Sequence, residues 1–441
     1  MMNGIKKLEK INTQHKEGLV ILTKKSLEYL QNLPHGGKNG ELSNDDLRSM
    51  LNESKYFDRL IKSVLNVISI KNYIPQFIIE SYCLDFIGHL AKKDRTEDDE
   101  ILREIDRLLT KLESRVNEMN VIIPLENIKL KDIESIEIGN AVLLNPDKVS
   151  KIFNNSAILK DISKGPFFPT ISHEIQNRVC ACIEVKYDSQ EIYNAAIIKI
   201  EPIINVLRIY ACFNSNIIFH SPISAPKIKI GISGTANNAK NMMVSFKQGK
   251  GWGARVRATG YPKLILDNEF LEMIKINYKF KYIHNLLCKE YNSLSNFEKQ
   301  ILIAVRWIGL GIDEDIGTDK IIKFAIALEC LLLDKEDNSK SNPLAKRCAY
   351  ILGNNSKERH DKKKRVKYLY DVRSRVVHEG FNFVKDEDIF EFQNLVIECL
   401  LRLLEIGDND SAITDISYLK KMIHQKESEA LDQYIPNQPW F

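Results

Sequence analysis

In the stretch Tyr368-Leu369-Tyr370-Asp371-Val372-Arg373-Ser374-Arg375-Val376-Val377-His378-Glu379-Gly380, an apolar helical pattern carries two arginines and a histidine to a glycine stop. The spacing predicts a helix from about Asp361 to Gly380, because glycine readily takes the left-handed conformation that ends a helix. At about 100° per residue, Arg373 and His378 lie roughly 140° apart on such a helix, and Arg375 and His378 about 60° apart. One unbroken helix therefore sets Arg375, not Arg373, beside the histidine. Unwinding near Gly380, or a second copy of the chain, would bring Arg373 to it. Basic side chains are also favoured at a helix C-terminus by the dipole alone, and Asp371 stands four residues before Arg375, the spacing of an ordinary ion pair.

These residue types suit metal-free cleavage of an RNA backbone. The ribose 2′-hydroxyl must lose a proton as it attacks phosphorus, and imidazole can take that proton near neutral pH or give one to the leaving 5′-oxygen. Negative charge gathers on the phosphorane oxygens, where a guanidinium that stays protonated can stabilise it. Just upstream, Lys357 to Lys367 holds seven Lys/Arg against two acidic residues. Lys362, Lys363, Lys364, Arg365 and Lys367 are its candidate RNA contacts, since such a run can neutralise phosphates, although a solvated helix face has the same composition.

Working outward, the C-terminal part has clear helix punctuation. Ser295 with Glu298 forms a capping-box pattern opening a helix to about Gly311. Thr318 is positioned to cap another helix to Leu333. Asn342-Pro343 fits an N-cap and first helical position, with Gly353 as the stop. A last helix is expected from Asp386 to about Glu405, then a weak one from Gly407. Arg306 and Glu329 sit in otherwise apolar helices. They could pair with each other, or Glu329 could orient Arg373.

Residues 1 to about 120 also read as helical. Leu19, Ile21, Leu22, Leu27, Leu30 and Leu33 give one amphipathic segment, and Thr96 to about Met119 a second, with Glu97 to Glu100 complementing the dipole. Between them and the C-terminal helices, β-branched runs separated by Gly, Asn and Pro predict strands: Val121–Ile123, Ile136–Ile138, Val179–Val185, Ala195–Ile200, Val206–Cys212 and Ile228–Ile232. Asn145-Pro146-Asp147 should cap a short helix ending near Phe153. Lys247 to Arg257 reads as a basic, glycine-rich hairpin loop and Gly231 to Ala239 as a turn. Neither matches a phosphate-binding loop.

The fold class expected is α+β and multidomain: N-terminal helices at 1–120, a β-rich or α/β sensing or regulatory domain at 121–277, an all-α bundle at 278–406 and a tail at 407–441. Composition is that of a globular protein, 44% hydrophobic and 28% charged, with a net charge of only +4. Nucleic-acid contact must then come from local clustering. The eight cysteines are scattered, mostly in apolar runs, and behave as small core residues. Cys180 and Cys182 face one side of a strand without a second pair to complete a zinc set. No metal site or cofactor is implied. The opening residues carry no secretory pattern and no apolar run nears roughly 18 residues, so the expected compartment is the cytoplasm, without membrane contact.

Arg373-x4-His378 at the end of an apolar helix resembles the R-x4-6-H motif of the HEPN superfamily, most of all the ApeA-like HEPN domains of bacterial phage defence. The likeness includes Arg306-Trp307, Ala327-Leu328-Glu329, Leu344-Ala345-Lys346-Arg347 and Tyr370 to Gly380, over roughly residues 285 to 405. It implies a four- or five-helix bundle that pairs into a homodimer or higher oligomer, two motifs forming one cleft. It also implies a metal-independent endoribonuclease acting on tRNA or single-stranded RNA, as a defence toxin answering a phage-derived trigger or regulatory partner. By it Arg373 and His378 are catalytic, and Ser374, Arg375, Arg306 and Glu329 support them or bind phosphate. Ser374 stands where many relatives carry Asn, Asp or His. The alternative is a bundle that serves as a non-catalytic dimerisation or interaction module.

Overall fold

The computed structural model describes residues 13–32, 44–51, 53–67, 74–93, 97–155, 175, 177–188, 191–212, 227–230, 241–246, 252–257, 263–334, 337, 340–409, 417–418, 421, 423 and 425. The chain divides into two compact units, Met1–Asn120 with Glu184–Ala196, and Val121–Ile183 with Ile197–Phe441. It is mostly helical with a small sheet in its middle, an α+β layout.

The first unit holds α1 (Thr13–Gln31), α2 (Asn44–Leu51), α3 (Lys55–Val67), α4 (Gln76–Ala91) and α5 (Asp98–Glu113). Its core takes Leu19, Leu27 and Leu30 from α1 and the stripe Ile101, Ile105, Leu108, Leu109 and Leu112 from α5, as the 3.6-residue period requires. Ile21, by contrast, is exposed. The second helix is shorter than its apolar pattern suggests: α5 stops at Glu113, and strand β1 (Val116–Glu126) takes over. The β-branched run at Val121–Ile123 finds sheet partners, and that pairing outweighs the helical spacing of Val116. Thr96, read as the cap, lies outside the described residues. Glu97 occupies the cap position and makes no side-chain capping bond. Arg115 clamps the fully buried Asp188 with bonds of 2.5 and 2.9 Å and donates to the Tyr82 hydroxyl at 2.9 Å.

The second unit contains β2 (Ile128–Leu130), β3 (Ser135–Ile138), β4 (Ala141–Leu144), α6 (Pro146–Asn155), β5 (Val179–Asp188) and α7 (Ile192–Ala211), with β5 and α7 also contributing to the first unit. After them come β6 (Lys229–Ile230), β7 (Asn241–Phe246), β8 (Trp252–Arg257) and β9 (Leu264–Leu266). The main sheet has the order β3-β4-β5-β1-β6. Its β3–β4, β4–β5 and β1–β6 pairs are antiparallel, with Ile136 opposite Leu143 and Val142 opposite Cys182. Strands β2 and β9 pair in parallel, and β7 and β8 form a hairpin. Within the basic segment, Trp252–Arg257 is therefore strand, while residues 247–251 and the turn at 231–239 lie outside the described residues. Cys180 and Cys182 line one core cluster. Burial pushes both thiols up, Cys180 to about 12.

The strands expected at Ala195–Ile200 and Val206–Cys212 are instead one helix, α7. From Ile203 to Ala211 every residue is buried. That half, wrapped on all sides, needs no polar face and shows no 3.6-residue alternation, and the Ile and Val content of the whole helix imitates strands.

The C-terminal helices are α8 (Asn268–Ile276), α9 (Tyr278–Cys288), α10 (Asn296–Asp313), α11 (Gly317–Leu332), α12 (Ser341–Leu352), α13 (Ser356–His378) and α14 (Asp386–Asn409). Two caps form as the sequence suggests. The Ser295 hydroxyl accepts from the Glu298 N–H while the Glu298 carboxylate accepts from the Ser295 N–H, and the Asn145 side chain accepts from the Lys148 N–H at 2.8 Å. Two others do not. Helix α11 starts one residue before Thr318, behind Ile316, which makes no side-chain capping bond, and Glu314 accepts from the N–H groups of Asp315 and Ile316 just ahead of it. Helix α12 starts before Asn342 and has no side-chain cap. Helices α10 and α11 pack at Gly311, where an added Cβ would lie 2.5 Å from the Phe324 ring. Helix α14 fills the bundle centre with Phe392, Val396, Cys399 and Leu403. Among the described residues, no helix is long and apolar enough to cross a membrane.

Candidate active site on helix α13

Helix α13 begins earlier than its apolar pattern suggests. Asn355 caps it by accepting from the Glu358 N–H at 2.9 Å, and Glu358 returns a carboxylate to the Asn354 N–H. The whole basic run is therefore helical. Val366, Leu369, Tyr370 and Val372 are buried against the bundle. The helix is unbroken to His378. The Arg375 carbonyl accepts from the N–H of Glu379 at 2.9 Å and of Phe381 at 3.3 Å, and Gly380 turns the chain away at φ +67°. Unwinding near Gly380 thus does not occur, and Arg373 and His378 keep their angular separation.

Arg373 points into the bundle with 18% of its side chain exposed, its Nη2 3.7 Å from Glu329 Oε1. Its guanidinium carbon lies 5.5 Å from the Tyr370 ring centroid. Its Nε is buried without a hydrogen-bond partner. Glu329 serves three donors' worth of charge and dipole: Oε1 accepts from the Tyr370 hydroxyl and Oε2 from Lys340 Nζ, each at 2.8 Å. Burial, and then the bond to this carboxylate, raises the Tyr370 phenol well above its ordinary range. Of the two arrangements open in the sequence, Glu329 beside Arg373 is the one formed. Arg306 is exposed and faces Glu201 on α7, its Nε 3.8 Å from that carboxylate. It does not join the cluster.

His378 is exposed on the opposite side of the helix. Along the same side run His360, Lys364, Lys367, Asp371 and Ser374, at the helical spacing of three and four. Arg375 turns to Phe381, its guanidinium carbon 5.2 Å from the ring centroid, and the pair expected with Asp371 is not formed. The basic candidates divide into two groups. Lys362 bonds Glu398 at 3.0 Å, and Arg365 bonds Glu391 at 2.6 Å and Asp388 at 2.9 Å, tying α13 to α14. Those bonds, Glu391 first, hold the Arg365 guanidinium above its usual pKa. Lys363, Lys364 and Lys367 form no ion pair among the described residues and remain available to a polyanion.

A second polar cluster is not signalled by the sequence. Lys320, in the first turns of α11, is buried with its Nζ unbonded. Burial, and then Lys227, push its amine down to about 8. Asn205, Asp313 and Gln393 each hold one further buried polar atom without a partner. Among the described residues, no group of three or more His, Cys, Asp or Glu is placed to share a metal ion. Comparison with family models, with curated proteins and with solved structures finds no match for this chain.

Proposed function

We propose that the chain is a metal-independent endoribonuclease of the HEPN type, working in the cytoplasm as a phage-defence effector and as a pair of copies. The observation that carries this reading is the division of labour on α13. An exposed imidazole shares one helix side with unpaired lysines, while the motif arginine is held about 140° around the helix by Glu329 and Tyr370. His378 moves the proton between the 2′-hydroxyl and the leaving oxygen. The guanidinium that meets it across the two-fold is Arg373 of the other copy, with Arg375 contacting phosphate from the same copy.

Purified protein incubated with tRNA or total RNA in EDTA should cut it to 2′,3′-cyclic phosphate ends, and His378→Ala and Arg373→Ala should each abolish cutting. Mixing these two inactive variants should restore roughly a quarter of wild-type activity, because half the pairs are mixed and each mixed pair keeps one intact site of two. Full cutting by His378→Ala would remove the assignment. Absence of restoration in the mixture would place both groups in one copy.

The engagement of Arg373 with Glu329 also favours a second reading, a non-catalytic interaction module in which that arginine only secures the bundle. Equal growth of bacteria expressing wild type and Arg373→Ala, with and without phage and with intact RNA in both, would support it.

A further inference from the structure

Phe381 follows the turn at Gly380, and its N–H is tied back to the Arg375 carbonyl at 3.3 Å. That bond holds the residue against the last turns of α13. Its ring is backed by the Arg375 guanidinium, yet 43% of the residue is open to solvent, and Phe383 two positions on is 65% open. Arg375 precedes His378 by three positions, about 60° around the helix and about 4.5 Å along it. Lys364, exposed, and Lys367, partly exposed, continue the same side away from this end, beyond the exposed Asp371. An apolar ring left in water costs free energy unless something covers it. A cation behind one face of a ring leaves the other face free and enriches its surroundings in positive charge.

We propose that Phe381, backed by Arg375, is a stacking platform for an unpaired nucleobase, so that this surface selects single-stranded over duplex RNA. The proposal rests on the reading of α13 as an RNA-cleaving surface and names the feature that chooses the substrate. Every base offers a π face, but a base inside a duplex has both faces occupied by its neighbours. Only a base free of the helix can lie on Phe381 while its phosphate reaches His378 and Arg375. The line of lysines favours a polyanion over an apolar protein surface as the occupant.

The test uses the full chain and a single-stranded 2′-O-methyl oligonucleotide containing 2-aminopurine. The methyl group removes the attacking hydroxyl, so binding is read without cleavage, and stacking quenches the fluorescence. Wild type should quench. Phe381→Ala and Phe381→Leu should bind on the order of ten-fold or more weakly with quenching lost, and Phe381→Trp should retain both. Thermal melting should be unchanged in all three, since the ring lies outside the buried core. Equal binding by Phe381→Leu, or competition by a duplex as effective as by the single strand, overturns the platform. So does an oligonucleotide that fails to bind while Phe381→Ala sediments as a smaller species, which would assign the ring to contact between copies. RNA that stays uncut while quenching persists would instead refute the ribonuclease reading and leave the platform standing.

Discussion

One carboxylate decides where Arg373 points. Glu329 accepts from Tyr370 and Lys340 and lies within 3.7 Å of Arg373, so the guanidinium is drawn toward the bundle rather than toward His378. The sequence shows that Glu329 is out of place in an apolar helix, but not which cation it serves. That choice depends on how α11 and α13 pack, which no local spacing encodes. Lys320 is less legible still, because nothing in its neighbourhood distinguishes a buried amine from one that reaches solvent. Its cost can be measured. The folded amine titrates near 8 against an ordinary 10.5, so below pH 8 both folded and unfolded chains carry the charge and the burial penalty is complete. As pH rises toward 10.5 the folded form is neutral while the unfolded form still binds a proton, and stability increases. Lys320→Met should therefore stabilise the protein by about 1–3 kcal/mol at pH 7. That advantage over wild type should shrink between pH 8 and 10.5 in urea titrations. A constant difference across that range would show that the amine finds a partner.

At the scale of elements, legibility follows the range of the forces involved. Caps at Asn145 and Ser295 can be read because donor and acceptor lie three residues apart. The stripe of α5 can be read because one of its faces meets water. The second half of helix α7 cannot, since burial on every side erases the alternation that marks a helix, and the start of α13 is hidden because its first turns are polar all round. The packing of α10 on α11 is likewise invisible until Gly311 is seen against Phe324. Gly311→Val should force the Phe324 ring aside and lower stability by about 1–3 kcal/mol, read as a fall in the urea midpoint with unchanged slope. A midpoint equal to wild type would mean the two helices can separate at no cost.

For the whole molecule, the α+β layout is legible from the change of pattern near residues 120 and 278, whereas the grouping into compact units is not. Residues 184–196 join the N-terminal helices through the clamp of Arg115 on Asp188, a contact spanning seventy-three positions that periodicity cannot reveal. The candidate site divides in the same way. Its residues and their angles on α13 follow from counting along a helix, while the inward hold on Arg373 follows only from the bundle.

Five residues on an unbroken helix leave Arg373 and His378 looking in different directions, and this has a quantitative consequence for a nuclease that needs both. A solitary chain would be idle, and turnover per molecule would climb with the amount of protein until association saturates. Dilution would then act as an off switch and expression level as the dose. Initial rates followed over a thousand-fold range of enzyme should rise with a steeper than first-power dependence at the low end, whereas strict proportionality throughout would mean that one chain suffices.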